Sequence, residues 1–281
     1  MKSWQLAACL PDRQVNSRQY PLANATEDKS AVSSWQYLLT PNSYILTAFV
    51  LLLLTIKVVS GQTIDKKYLL GQFDETKDSR FVKIDSQYAR GSAVGKFLRK
   101  ESYEAFAKMA NAAKKEGVIL FIISATRNFT SQKSIWENKW NGKTLVEGKN
   151  LTTIADLPER AKMILLYSSM PGTSRHHWGT DMDLNSLDNS YFASGEGLKI
   201  YQWLQVHASE FDFCQPYTSK ATGRSGYEEE KWHWSYLPLS KELLKEYKKQ
   251  IRSADISGFK GSEVAKKLKV IDSYVDGVAC K

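Results

Sequence analysis

The histidines place the tightest constraint on how this chain can fold. Of only four, His176 and His177 lie in Ser174-Arg175-His176-His177-Trp178-Gly179-Thr180-Asp181-Met182-Asp183, and His233 lies in Glu228-Glu229-Glu230-Lys231-Trp232-His233-Trp234. A catalytic zinc takes three protein ligands from His and carboxylate and leaves one position for water. His176, Asp183 and His233 supply that set, and Gly179 lets the chain turn between the first two. The water then needs a carboxylate base within hydrogen-bond reach, and Glu230, three residues before His233, is placed for it. A fold that uses these residues must bring two remote segments together around one ion.

Alternatives exist at each position. His177 could pair with Asp181 in place of His176 with Asp183, because Asp181 and Asp183 point to the same side of any strand through them. With Asp183 as the ligand, Asp181 becomes an outer partner that orients one. Glu228 and Glu229 compete with Glu230. A regular strand would put Glu230 and His233 on opposite faces, so choosing Glu230 predicts an irregular backbone between Glu230 and Trp232. His207, within Trp203-Leu204-Gln205-Val206-His207, reads as a packing or surface residue. Trp178, Trp232 and Trp234 wall the cleft or fill core, since indole rings do both.

Periodicity organises the rest. Phe97, Tyr103, Phe106, Met109, Ala110 and Ala113 predict a helix from Lys96 to Glu116, closed by Gly117 in the position a C-terminal cap prefers. The apolar run from Val118 to Ile123 reads as a buried central strand. Thr180 to Asn185 alternates, with Thr180, Met182 and Leu184 on one side and Asp181, Asp183 and Asn185 on the other, which predicts a strand between core and polar cleft. A short strand is expected at Phe81–Ile84 and another over Lys231–Tyr236. Helices are expected over Pro158–Ser168 and Glu196–Ser209, from an N-cap at Ser240 to about Arg252, and over Ser262–Tyr274. Helices and strands do not alternate as regular βαβ units, so the class is α+β.

The 281 residues carry a net charge of +9 with 42% hydrophobic content. That charge suggests an anionic environment, a bacterial wall or membrane surface or nucleic acid. Basic residues are interleaved with acids and no Lys/Arg run exceeds two, however, which favours an ordinary solvated basic surface; nucleic-acid binding rests here on net charge alone. Cys9, Cys214 and Cys280 have no metal-site spacing, and an odd count argues against a disulfide framework. One Cys214–Cys280 bridge would need an oxidising compartment and is not part of the expected architecture. Tyr44 to Ile56 is apolar, too short for a span of about 20 residues but of signal-peptide length. It predicts export, by cleavage near Gly61 from a start downstream of Met1 or as an uncleaved anchor touching the membrane through residues 44–59. The expected organisation is a disordered extension over 1–43, the targeting segment over 44–61, a zinc-site domain over 62–252 and a helical appendage over 253–281. The sequons at Asn24, Asn128 and Asn150 carry no weight without a eukaryotic secretory route.

The pattern Ser-x-His-x-x-Gly-x-x-x-Asp followed by Glu-x-Trp-His resembles the zinc D,D-carboxypeptidases and D,D-dipeptidases of the VanY/VanX type, and the L,D-carboxypeptidases that share it. The family's upstream Ser-Gly-Tyr-Arg-Ser-x-x-x-Gln segment is similar to Ser124-Ala125-Thr126-Arg127-Asn128-Phe129-Thr130-Ser131-Gln132. The resemblance spans roughly residues 80–250. It implies zinc on His176, Asp183 and His233, and Glu230 as general base. It further implies Arg127 on the scissile carbonyl or its oxyanion, and Gln132 and Ser174 holding the substrate, Ser174 at its terminal carboxylate. The implied substrate is a peptidoglycan stem peptide ending in a D-amino acid, and the implied location is the periplasm or cell envelope. The implied fold is the hedgehog/D,D-peptidase-like domain, a central antiparallel sheet flanked by helices. Asp181 stands where the family usually has Ala, and Lys231 where it often has Pro. An endopeptidase acting inside the stem peptide and a non-catalytic zinc module that binds peptides are the rival readings.

Overall fold

The computed structural model describes residues 64–281. The targeting segment at 44–61 and the extension before it lie outside the described residues. In chain order the elements are α1 (Lys66–Leu69), β1 (Phe81–Lys83), β2 (Phe97–Arg99), α2 (Lys100–Lys115), β3 (Ile122–Ser124) and α3 (Phe129–Trp140). They continue with α4 (Leu157–Ile164), β4 (Asp181–Leu184), α5 (Gly195–His207), β5 (Phe213–Cys214), β6 (His233–Tyr236) and α6 (Leu237–Gln250). A 3-10 turn at Arg175–Trp178 leads into β4. Among the described residues no helix is long and apolar enough to cross a membrane.

The class is α+β as expected, with an antiparallel sheet in the order β3-β4-β6-β5 and a separate β1-β2 hairpin. Met182 pairs with Trp234 and Asp183 with His233 in register. Met182, Leu184 and Trp234 turn into one core with Phe106, Met109 and Ala113 of α2 and Ile200, Trp203 and Leu204 of α5. Asp181, Asp183, His233 and Ser235 therefore occupy the opposite face, by the two-residue period of a strand. A second core gathers α1, α3, α4 and α6 around Trp136, Trp178 and Tyr247. Each large apolar side chain buried there contributes roughly 1.5–3 kcal/mol.

Several elements differ from the sequence expectation. The apolar run before Ser124 forms an edge strand of the sheet, and only Ile122–Ser124 is regular. Val118, Leu120 and Ile122 are buried while Ile119 is exposed, and the chain at Tyr88–Arg90 covers the open side of the strand, with Ile122 N–H donating to the Tyr88 carbonyl and Arg90 N–H to the Ile122 carbonyl. The predicted helix at Lys96 starts at Lys100, since Phe97–Arg99 pairs with Phe81–Lys83 first. The last helix of the sheet domain begins at Leu237 rather than at a Ser240 cap: Pro238 fits the first turn, where its missing N–H costs nothing. Ser262–Tyr274 is no continuous helix but a 3-10 turn at Ser262–Val264 and a π turn at Ile271–Val275.

Residues 253–281 pack into the second core through Ile256, Phe259, Val264, Val270, Val275 and Val278. Trp136 donates its indole N–H to the Lys260 carbonyl at 2.8 Å, tying this segment to α3. Contrary to expectation, Cys214 and Cys280 are bridged, with Cα atoms 6.4 Å apart. Ala279 N–H donates to the Pro216 carbonyl, which brings the end of the chain beside β5. Nothing in the cysteine spacing announces that approach.

Candidate active site

Local backbone chemistry positions the candidate residues. His176 sits in the 3-10 turn, and Gly179 ends that turn at φ 73°. A Cβ at Gly179 would lie 2.4 Å from the Phe81 ring, so both the conformation and the space require glycine. The chain then enters β4, which carries Asp183 opposite His233. Glu230 precedes β6 in a turn, with His233 N–H donating to the Glu230 carbonyl, so the backbone from Glu230 to Trp232 is irregular as predicted.

His176, Asp183 and His233 converge. One donor atom from each lies within 4.8 Å of the others, and all three are buried. His176 Nδ1–H donates to the Ala125 carbonyl at 3.0 Å, which leaves Nε2 bare, 3.3 Å from Asp183 Oδ1. His233 Nε2–H donates to Asp181 at 3.0 Å, so its Nδ1 faces Asp183 Oδ1 at 3.3 Å and Glu230 Oε2 at 3.1 Å. His176 Nε2 and Asp183 Oδ1 are buried without hydrogen-bond partners. Such orphaned atoms are costly in a folded protein. Two imidazole nitrogens and a carboxylate oxygen fit a divalent metal of the zinc type.

The rival ligands are engaged elsewhere. His177 donates Nδ1–H to the Arg127 carbonyl at 2.5 Å and accepts from Gly172 N–H at 3.0 Å, so neither nitrogen is free. Burial holds its imidazole down at about 3. Glu228 pairs with Lys220, and Glu229 does not reach the cleft. His207 stacks on Trp203 and contacts Glu210, a packing role as expected.

Asp181 forms a closed network beneath His233. It is fully buried and accepts from Arg175 Nε at 2.8 Å, Ser235 Oγ at 2.9 Å and Thr180 Oγ1 at 2.7 Å, besides His233. Burial alone would raise its carboxyl, but the Arg175 guanidinium and His233 hold it well below the usual carboxylate range. Asp183 follows the same logic, with burial outweighed by His176, His233 and Arg127. Burial would lower His233, yet its hydrogen bonds to Asp181 and Glu230 push it up to about 9. Burial raises Glu230.

The cluster opens onto a cavity of about 520 Å³ whose wall includes Arg127, Gln132, Tyr217 and Glu230. Arg127 donates to Ser124 Oγ at 2.9 Å, lies 3.8 Å from Asp183, and keeps a buried Nε without a partner. Asn128 caps α3 by accepting from Ser131 N–H, which aims Gln132 at the cavity. Gln132 donates to the Ser169 carbonyl and leaves Oε1 unpartnered. Ser174 stands behind the wall, its Oγ buried and also unpartnered. Sequence reasoning missed Tyr217, whose ring packs 4.7 Å from His233, and Lys139, which lines the cavity from α3. Lys139 had a legible signal: with Gln132 and Ile135 it forms an i, i+3, i+7 stripe on one helix face. Tyr217 had none.

The chain is 28% identical over 181 residues to the Bacillus subtilis (strain 168) protein provisionally named carboxypeptidase YodJ, a match covering 62% of this chain and 58% of that one. It is 27% identical over 129 residues to a D-alanyl-D-alanine carboxypeptidase of Enterococcus faecalis (strain ATCC 700802 / V583), covering 46% of this chain and 44% of the relative. It thus spans about half the length of these curated relatives. Among solved structures, the LdcB LD-carboxypeptidase aligns with a TM-score of 0.46 at 22% identity, over 75% of this chain and 82% of that one. The family model described as VanY, D-alanyl-D-alanine carboxypeptidase, matches residues 95–239, just over half of the chain and every candidate residue named above from Arg127 to His233. The chain belongs to the VanY D-alanyl-D-alanine carboxypeptidase family.

Proposed function

We propose that this protein is a zinc-dependent carboxypeptidase that removes a D-amino-acid terminus from peptidoglycan stem peptides outside the cytoplasm. Family membership supports the reaction class, and one observation carries the assignment to residues. That observation is the convergence of His176 Nε2, Asp183 Oδ1 and His233 Nδ1, with two of these atoms lacking any other partner, beside Glu230 in a cavity wall.

In this reading His176, Asp183 and His233 hold zinc, which when bound supplies a Lewis acid and lowers the pKa of water to about 7. Glu230 accepts a proton from the attacking water and delivers it to the leaving amine. Arg127, in the cavity wall, donates to the scissile carbonyl and stabilises the charge that develops on the oxygen. Gln132, whose buried Oε1 no protein group satisfies, holds the substrate from the cavity wall, and Ser174 backs that wall without lining it. Asp181 fixes the tautomer of His233, so that Nδ1 is the metal-binding nitrogen. Export is supported by the Cys214–Cys280 bridge, since disulfides persist in oxidising compartments, and by the apolar segment at 44–56.

The test is mass spectrometry of purified muropeptides incubated with the zinc-loaded protein. Loss of one terminal D-amino acid per stem peptide is expected. Glu230→Ala should lower turnover by at least a thousandfold while zinc content stays near one per chain. Cleavage inside the stem would instead favour the endopeptidase reading. Loss of metal with Glu230→Ala would make that residue structural.

A further inference from the structure

The cavity holds a second cation that the chemistry above does not use. Lys139 lies two turns beyond Gln132 on the same face of α3 and contributes to the same wall as Arg127 and Glu230. Its ammonium donates to Ser168 Oγ at 2.5 Å, and among the described residues no carboxylate lies within 4.0 Å of it. Arg127, by contrast, already lies 3.8 Å from Asp183 at the centre of the cluster. Among the described residues, exposed lysines such as Lys100, Lys162, Lys199 and Lys245 pair with an acid three or four residues away. Lys139 is different because it is only partly exposed, and burial followed by the Arg127 charge lowers its ammonium from the ordinary value. A cation withdrawn from water without a counter-ion is a cost that an anionic ligand would offset.

Resting on the carboxypeptidase reading, we propose that Lys139, supported by Ser168, is the anchor for the free terminal carboxylate of the substrate. Gln132 and Ser174 carry no charge, so neither can supply the ion pair that distinguishes a chain end from an internal peptide bond. A cavity of about 520 Å³ accommodates a few residues of peptide beside the metal cluster. Selectivity for a chain end follows from the loss of this pair when the carboxylate is replaced by an amide, because the ammonium is then left partly desolvated and alone. Stem peptides also carry internal carboxylates, so the experiment must separate the two sources.

Three synthetic stem peptides serve: the free acid, its C-terminal amide, and the free acid with internal carboxylates amidated. Each is assayed for KM and kcat with zinc-loaded wild type, Lys139→Met and Lys139→Arg, and titrated calorimetrically into the same proteins carrying Glu230→Gln. Wild type should prefer both free acids to the amide. Lys139→Met should raise KM for the free acids 10- to 100-fold with a smaller change in kcat and leave the amide unaffected, and Lys139→Arg should recover most of the preference. An unchanged acid-to-amide ratio in Lys139→Met overturns the proposal, as does a loss that tracks only the internal carboxylates. Wild type that cleaves none of the peptides overturns the carboxypeptidase reading instead. The calorimetric preference for acid over amide then still decides the role of Lys139.

Discussion

Asp181 and His177 show how much of the candidate site depends on side chains outside the proposed donor set. Asp181 takes four hydrogen bonds while wholly buried, which holds His233 in one tautomer and one orientation. Asp181→Ala would leave Arg175 buried and unpaired, at about 3–5 kcal/mol. The informative variant is therefore Arg175→Met with Asp181→Leu, which removes the pair together. It should fold, yet bind zinc 10- to 100-fold more weakly in competition with a chelator, as expected when a ligand's outer partner is lost. Retained affinity would reduce Asp181 to packing. His177 makes a prediction about pH. Its folded value of about 3 lies below the ordinary 6.5, so the unfolded chain takes up the proton first as pH falls. The contribution is complete above pH 6.5 and is lost from there down toward pH 3, at about 1.4 kcal/mol per pH unit. Urea titrations should show wild type losing about 2 kcal/mol more between pH 7 and pH 5 than His177→Asn does.

Among the elements, glycines separate two kinds of constraint. Gly117 follows α2 at φ 75°, and Val118 N–H donates back to the Ala113 carbonyl, the bond that closes a Schellman motif. Open space surrounds its missing Cβ. Gly117→Ala should cost only the left-handed backbone term, about 1–2 kcal/mol in thermal or urea unfolding. Gly179→Ala meets the same term plus the Phe81 ring, so it should cost more and displace His176 from Asp183. Loss of zinc binding with little change in helix content would mark that displacement. Helix α2 and strand β4 were legible because their periods of 3.6 and 2 are carried by many residues. The start of α6 was not, since Ser240 has the chemistry of a cap but Pro238 takes the first turn. The segment at 262–274 has helical spacing without helical backbone, because packing of Val264, Val270 and Val275 into the second core decides its path.

On the scale of the molecule, the two cores meet at the sheet, and the end of the chain closes over the loop that leads to Glu230. Cys280 bridges to Cys214, Ala279 binds Pro216, and Ser225 donates to the Ser273 carbonyl. The bridge spans 66 residues of sequence, for which chain entropy predicts about 4 kcal/mol. Reduction, or Cys280→Ser, should lower stability by about 2–4 kcal/mol in urea titration. The same treatment should weaken catalysis more than zinc binding, because the tethered loop carries Tyr217 and Glu230 whereas two of the three proposed metal donors, His176 and Asp183, lie outside it.

Residue chemistry alone made the turn at Gly179 and the α+β class legible, and it narrowed the candidate metal donors and the candidate base to a few neighbouring alternatives. Each of these readings depends on which side chains exist and on their spacing along the chain. Only the tertiary structure decided between His176 and His177, between Asp181 and Asp183, and between a bridged and a free Cys214. Those choices depend on which atoms of remote segments end up facing each other. His176 and His177 are neighbours of identical chemistry, and what separates them is that the Arg127 carbonyl and Gly172 N–H fold onto one while the other keeps a bare nitrogen.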